Sequence, residues 1–93
     1  MEKAKVYFTD LRVRFDCNLL QKLRKLLLAA GMDQIDFQNK YAAIKIHFGE
    51  PGNLAFLRPN YAKVVADLVK KLGGRPFLTD CNTLYVGRRK NAL

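Results

Sequence analysis

The sequence predicts an α/β fold, a βαβαβ three-stranded parallel sheet with two packed helices. Three observations carry this expectation. Short segments alternate apolar and polar residues at the period of a strand, longer segments repeat apolar residues at the period of a helix, and the two kinds interleave along the chain. Strands separated by amphipathic helices pair in parallel through right-handed crossovers.

The first strand is expected at Ala4 to Thr9, where Ala4, Val6 and Phe8 share one side and Lys5, Tyr7 and Thr9 the other. A helix follows over Asn18 to Ala30, with Leu19, Leu20, Leu23, Leu26 and Leu27 on one stripe and Gln21, Lys22, Arg24 and Lys25 opposite. Asp16 or Asn18 can cap its free amides, and Gly31 can end it in the left-handed conformation. Residues 31–40 then read as a surface connection anchored by Ile35 and Phe37. The second strand is expected at Tyr41 to Phe48, which places Lys45 and His47 on one face. After the turn-rich loop Gly49-Glu50-Pro51-Gly52-Asn53, a second helix repeats Tyr61, Val64, Val65, Leu68, Val69 and Leu72, with Asp67 and Lys71 spaced to pair across one turn. Gly73-Gly74 ends it, and a third strand runs from Pro76 through Phe77, Leu78 and Thr79.

Ninety-three residues make a single domain the expectation over 1–93. A chain this short buries only roughly 60–65% of its unfolded surface, so a further covering chain or a homo-oligomer is a natural partner. The expected strands also keep a mixed face containing Lys5, Tyr7, Lys45 and His47, whereas parallel strands covered on both sides read as continuous apolar runs. One sheet face should therefore be poorly covered within the chain.

An apolar content of 49% against 27% charged residues argues for a globular chain and against disorder. No apolar run reaches the roughly 18 residues of a membrane span, and the opening Met1-Glu2-Lys3 leads into no signal-peptide core. No membrane partner is expected, and the cytoplasm is the default location. Cys17 and Cys81 have neither metal-ligand spacing nor the density of a disulfide scaffold, and read as free thiols. A net charge of +9 favours acidic or phosphorylated partners. Nucleic acid is disfavoured: Gly87-Arg88-Arg89-Lys90 reads as a solvated tail, and the helical lysines lie opposite the apolar stripes.

Ligands of open parallel sheets bind beyond the carboxyl ends of the strands. That edge gathers Thr9 and Asp10, then His47, Gly49, Glu50 and Asn53, then Thr79, Asp80, Asn82 and Thr83. Lys45, His47 and Arg58 could bind an anion, with Glu50, Asn53, Asp80 and Asn82 completing a ligand site. Alternatively His47, Glu50 and Asp80 could hold a divalent metal. As a catalyst, His47 would serve as general acid or base, with Asp80 or Glu50 orienting it. Gly49 and Gly52 match no phosphate-loop fingerprint and read as a plain turn.

At Lys45-Ile46-His47-Phe48-Gly49-Glu50, Gly52-Asn53 and Arg58-Pro59 the chain resembles the family known as domain of unknown function 362. Thr79-Asp80-Cys81-Asn82-Thr83-Leu84-Tyr85 with Gly87, Arg89, Asn91 and Ala92 resembles a second family signature, and Lys5 to Arg12 fits its first strand. Cys81 stands where that pattern has a threonine. The resemblance implies the N-terminal portion of a longer architecture, a missing C-terminal region as partner, and relatives that carry 4Fe-4S ferredoxin segments. No cofactor is expected in this chain, because Cys17 and Cys81 lack cluster-ligand spacing. The expected function is binding of a small anionic ligand or metal at the strand ends, the alternative a protein–protein interaction or oligomerisation module without catalysis.

Overall fold

The computed structural model describes residues 2–47, 49 and 51–80. Two helices and a two-stranded parallel sheet follow one another as α1 (Leu19–Ala29), β1 (Tyr41–Lys45), α2 (Pro59–Lys71) and β2 (Arg75–Thr79), with a 3-10 turn at Met32–Gln34. The α/β class and the interleaving read from the sequence are therefore present.

Helix α1 begins where a capping box closes on itself. The Gln21 amide donates to Asn18 Oδ1 at 2.9 Å, and the Asn18 amide donates to Gln21 Oε1 at 2.8 Å. Of the two cap candidates, Asn18 is the one used. At the other end Gly31 adopts a φ of 94°, and its amide donates to the Leu28 carbonyl. Helix α2 starts with Pro59, whose missing N–H costs nothing in the first turn, and closes with Lys70 and Lys71 at the negative end of its dipole. Asp67 pairs with Lys63 at 2.6 Å, one turn towards the N-terminus, and not with Lys71 as the spacing suggested.

Strand β1 pairs with β2 from Tyr41 against Arg75 to Lys45 against Thr79. It stops three residues short of the expected Phe48, and β2 starts at Arg75, one residue before the expected Pro76. Arg75 donates to the Lys40 carbonyl and Ile46 donates to Thr79, so alternate residues of β2 face β1. Pro76 therefore lacks its N–H on the outer edge, where no ladder bond is lost.

Helix α2 lies on the sheet and supplies the core: Ala62, Leu68 and Val69 are its buried residues, the last two only 2% and 1% exposed. Helix α1 packs beside α2, while its backbone approaches neither strand. Asn18, Leu20 and Arg24 line one cavity with Val64, Asp67 and Lys71, and Leu19 lines another with Arg58 and Tyr61, so the two helices run parallel with both N-termini at one end. Among the described residues no helix is long and apolar enough to cross a membrane.

The expected first strand is not formed among the described residues. Residues 4–9 carry no strand pairing, and Val6 and Phe8 are 87% and 83% exposed. The physical reason lies in α1. Phe8 and Thr9 line a cavity with Leu26 and Ala29 of that helix, whose backbone approaches neither described strand, so the segment runs along α1 and not along the sheet. Alternation supplies a strand with a face, but only a neighbouring edge gives its backbone partners.

A strap ties the segment down at its far end. Lys22 Nζ donates to Asp10 Oδ1 at 2.7 Å, to the Asp10 carbonyl at 2.8 Å and to the Arg12 carbonyl at 2.6 Å. All its protons are thereby used. The hydrogen bond from Lys22, followed by that from the Arg12 amide, holds the Asp10 carboxyl below its ordinary value. A depressed carboxylate stabilises the fold above its unfolded pKa and loses that contribution as pH falls through the folded value. The strap should thus be intact above the ordinary value of 3.8 and loosen below it. We expect the Arg12 amide resonance to hold steady down to that pH and then move as acid is added, and to stay flat in Asp10→Asn. An Arg12 amide without a transition below 3.8 would show that the strap is not made.

Candidate functional site at the strand ends

The parallel register decides which residues reach the carboxyl edge together. Lys45 is opposite Thr79, and the next ladder bond runs from the Ile46 amide to the Thr79 carbonyl at 2.9 Å. His47 and Asp80 then leave neighbouring strands at the same end of the sheet. An imidazole and a carboxylate expected to share an edge are delivered to it by adjacent strands.

The two faces of the sheet differ sharply. Ala42, Ile44 and Ile46 are half-buried beneath α2, while Tyr41, Ala43, Lys45 and His47 are exposed on the opposite face. The register adds Arg75 and Phe77 to that bare face, and the Arg75 guanidinium lies 5.6 Å from the centre of the Tyr41 ring. The expectation of one poorly covered face holds, and the face is basic. Lys45 and His47 stand about 6.6 Å apart along it, since a strand rises about 3.3 Å per residue.

Local geometry fixes the imidazole. The Gly49 amide donates to His47 Nδ1 at 3.0 Å, so Nδ1 is the acceptor and the ring proton sits on Nε2. Only glycine satisfies this turn. Gly49 is buried with a φ of 96°, and a Cβ on it would come within 2.8 Å of the Phe56 ring. Phe56 closes the loop over Gly49, and Asn53 Oδ1 accepts the Ala55 amide at 2.9 Å in an Asx turn.

Other expected site residues are placed differently. Arg58 precedes Pro59 of α2 and lines a cavity of about 400 Å³ with Val13, Asn18, Leu19, Asn60 and Tyr61, on the helical side of the sheet. Lys45 occupies the opposite face. Glu50 and Asn82 lie outside the described residues, as does Cys81. Among the described residues no group of three His, Cys, Asp or Glu side chains is gathered for a metal ion. A metal at Nε2 would need the ring proton on Nδ1, where it would confront the Gly49 N–H.

A polar cluster that the sequence reading passed over lies beside α1. Asp10, Arg12, Arg14, Asp16, Cys17, Lys22 and Lys25 line a cavity of about 440 Å³. The spacing of Arg12 and Arg14 and of Lys22 and Lys25 was visible, but those lysines read as the solvated side of α1.

The model of the family described as Domain of unknown function (DUF362) matches residues 42–92. The chain belongs to this family. The match covers β1 from its second residue, α2 and β2, and with them His47, Asn53, Arg58 and Asp80. The family's resemblance to the opening segment, Lys5 to Arg12, lies outside the matched residues. Comparison with curated proteins and with solved structures gave no match.

The tautomer of His47 is directly measurable. Nitrogen-15 spectra of the neutral ring are expected to report protonation at Nε2, with Nδ1 unprotonated. Gly49→Ala should destroy that preference, because it clashes with Phe56 and displaces the donating amide. A neutral ring protonated at Nδ1 in the parent protein would contradict the geometry.

Proposed function

We propose that this family member binds a small anionic ligand at the carboxyl ends of its strands, held by Lys45 and His47, with Asp80 and Asn53 orienting it. Glu50 and Asn82 are the further ligand residues of this reading, and Arg58 borders it from the helical side. The observation that carries the reading is the Gly49 contact to His47 Nδ1, which makes Nε2 a hydrogen-bond donor. A donor beside the Lys45 ammonium suits an oxyanion better than a cation. Hydrogen bonds to a charged group contribute about 1.5–3 kcal/mol each, enough for two of them to select a ligand. The bare, basic face with Arg75 supports the same sign of charge. As a chain whose thiols show no disulfide spacing, it belongs in a reducing compartment, the cytoplasm.

Inorganic phosphate, titrated while the melting temperature is followed, tests this. A ligand at about 100 times its dissociation constant stabilises by about 2.7 kcal/mol, and we expect the shift to vanish in Lys45→Ala/His47→Ala. Equal shifts in the parent and the double variant would discard the site.

A second reading rests on a separate observation. Val6 and Phe8 are exposed on a segment with strand alternation, and β1 has an outer edge to which no described strand is paired. We propose that in an assembled state residues 4–9 add to that edge and complete the three-stranded βαβαβ sheet, either within a longer family architecture or between copies of the chain. The domain would then act as an interaction or oligomerisation module. Light scattering should find a dimer or larger species that Val6→Asp/Phe8→Asp converts to monomer. A parent chain that stays strictly monomeric at high concentration would count against exchange between copies.

A further inference from the structure

The cavity beside α1 is distinct from the strand-end edge and has its own electrostatic logic. Its wall carries four cations, Arg12, Arg14, Lys22 and Lys25, against two carboxylates, Asp10 and Asp16. These charges are not equivalent. Lys22 is fastened by its three hydrogen bonds, its side chain only 18% exposed, and its charge answers that of Asp10. The remaining wall therefore sets three cations against Asp16.

Each of those cations is held near the cavity without being consumed by it. Arg12 meets Asp10 only at 3.8 Å, too long for a good hydrogen bond, and is almost fully exposed. Arg14 is fixed through its backbone, which exchanges two hydrogen bonds with Cys17 at 3.1 and 3.2 Å. This closes a tight turn directly before the Asn18 cap. Lys25 approaches Cys17 Sγ at 3.7 Å, a weak contact for an ammonium group. A rigid strap and turn thus present two guanidinium groups and one ammonium around one concavity of about 440 Å³, within the range of small-ligand sites.

We propose that this cavity binds a small phosphate-bearing ligand, with Arg12 and Arg14 as forked donors to its oxygens and Lys25 as a point charge. Guanidinium pairs suit phosphate because their parallel N–H groups match two oxygens at once, while an ammonium adds charge without directional demand. The chain's +9 charge raises the local concentration of such ligands. Cys17 is the reporter built into the wall: a ligand held by Arg14 and Lys25 covers its Sγ. The proposal is independent of the strand-end reading, since it uses neither Lys45 nor His47.

Iodoacetamide labelling of the full chain, resolved by peptide mass for Cys17 and Cys81, tests it with inorganic pyrophosphate as the probe and sodium chloride at matched ionic strength as control. Pyrophosphate at about ten times its dissociation constant should slow Cys17 labelling to about a tenth of its free rate. Protection should disappear in Arg14→Gln/Lys25→Gln, whose fold is checked by circular dichroism, and persist in Lys45→Ala/His47→Ala. The proposal is overturned if chloride protects as well as pyrophosphate, or if Arg14→Gln/Lys25→Gln remains protected. Protection lost in Lys45→Ala/His47→Ala would likewise overturn it by placing the anion at the strand ends.

Discussion

The packing of α2 across the β1–β2 pair is the constraint on which the described structure depends. Ala62, Leu68 and Val69 bury their side chains there, and the crossover they anchor forces β1 and β2 to run parallel. Parallel pairing in turn puts the carboxyl ends of both strands, and the start of α2, at one end of the molecule. The joint arrival of His47 and Asp80 at that edge is a consequence of this geometry and needs no contact between the two.

The same packing leaves two asymmetries. One sheet face is covered by α2 while the other exposes Tyr41, Lys45, His47, Arg75 and Phe77. Helix α1 adds to α2 and not to the sheet, so it contributes no fully buried residue despite its leucine stripe. Among the described residues the core is thin, and exposed apolar side chains along residues 6–15 accompany it. Apolar surface of that kind is the usual mark of a domain that meets another chain or a further part of its own.

Charge is distributed along with the packing. The surface pairs Asp36–Lys40 and Lys63–Asp67 are exposed and contribute little to stability. Lys22 differs, because it is largely covered and bonded to two backbone carbonyls as well as to Asp10. It acts as a structural tether, and the excess positive charge is passed to Arg12, Arg14 and Lys25 around it. Basic composition thus becomes two separate electropositive surfaces, one on the bare sheet face and one beside α1.

Local chemistry was legible in the sequence. The leucine stripe, Asn18, Gly31, the Gly73-Gly74 stop and the alternation through Tyr41 to Lys45 specify their elements by short-range rules, and the structure follows them within a few residues. The meeting of His47 and Asp80 at one edge was also readable, because it follows from element order alone. What needed tertiary structure were the choices between satisfactory alternatives. Residues 4–9 have the pattern of a strand but pair with none, Asp67 chose Lys63 over Lys71, and Arg58 lines a cavity with the starts of both helices. The tautomer of His47 depends on a buried glycine held under Phe56, and the cluster around Cys17 on a lysine that folds a distant segment back onto its helix. Periodicity encodes which face of an element is apolar, whereas partners are set by distances across the fold, and those arise only once α2 has settled on its sheet.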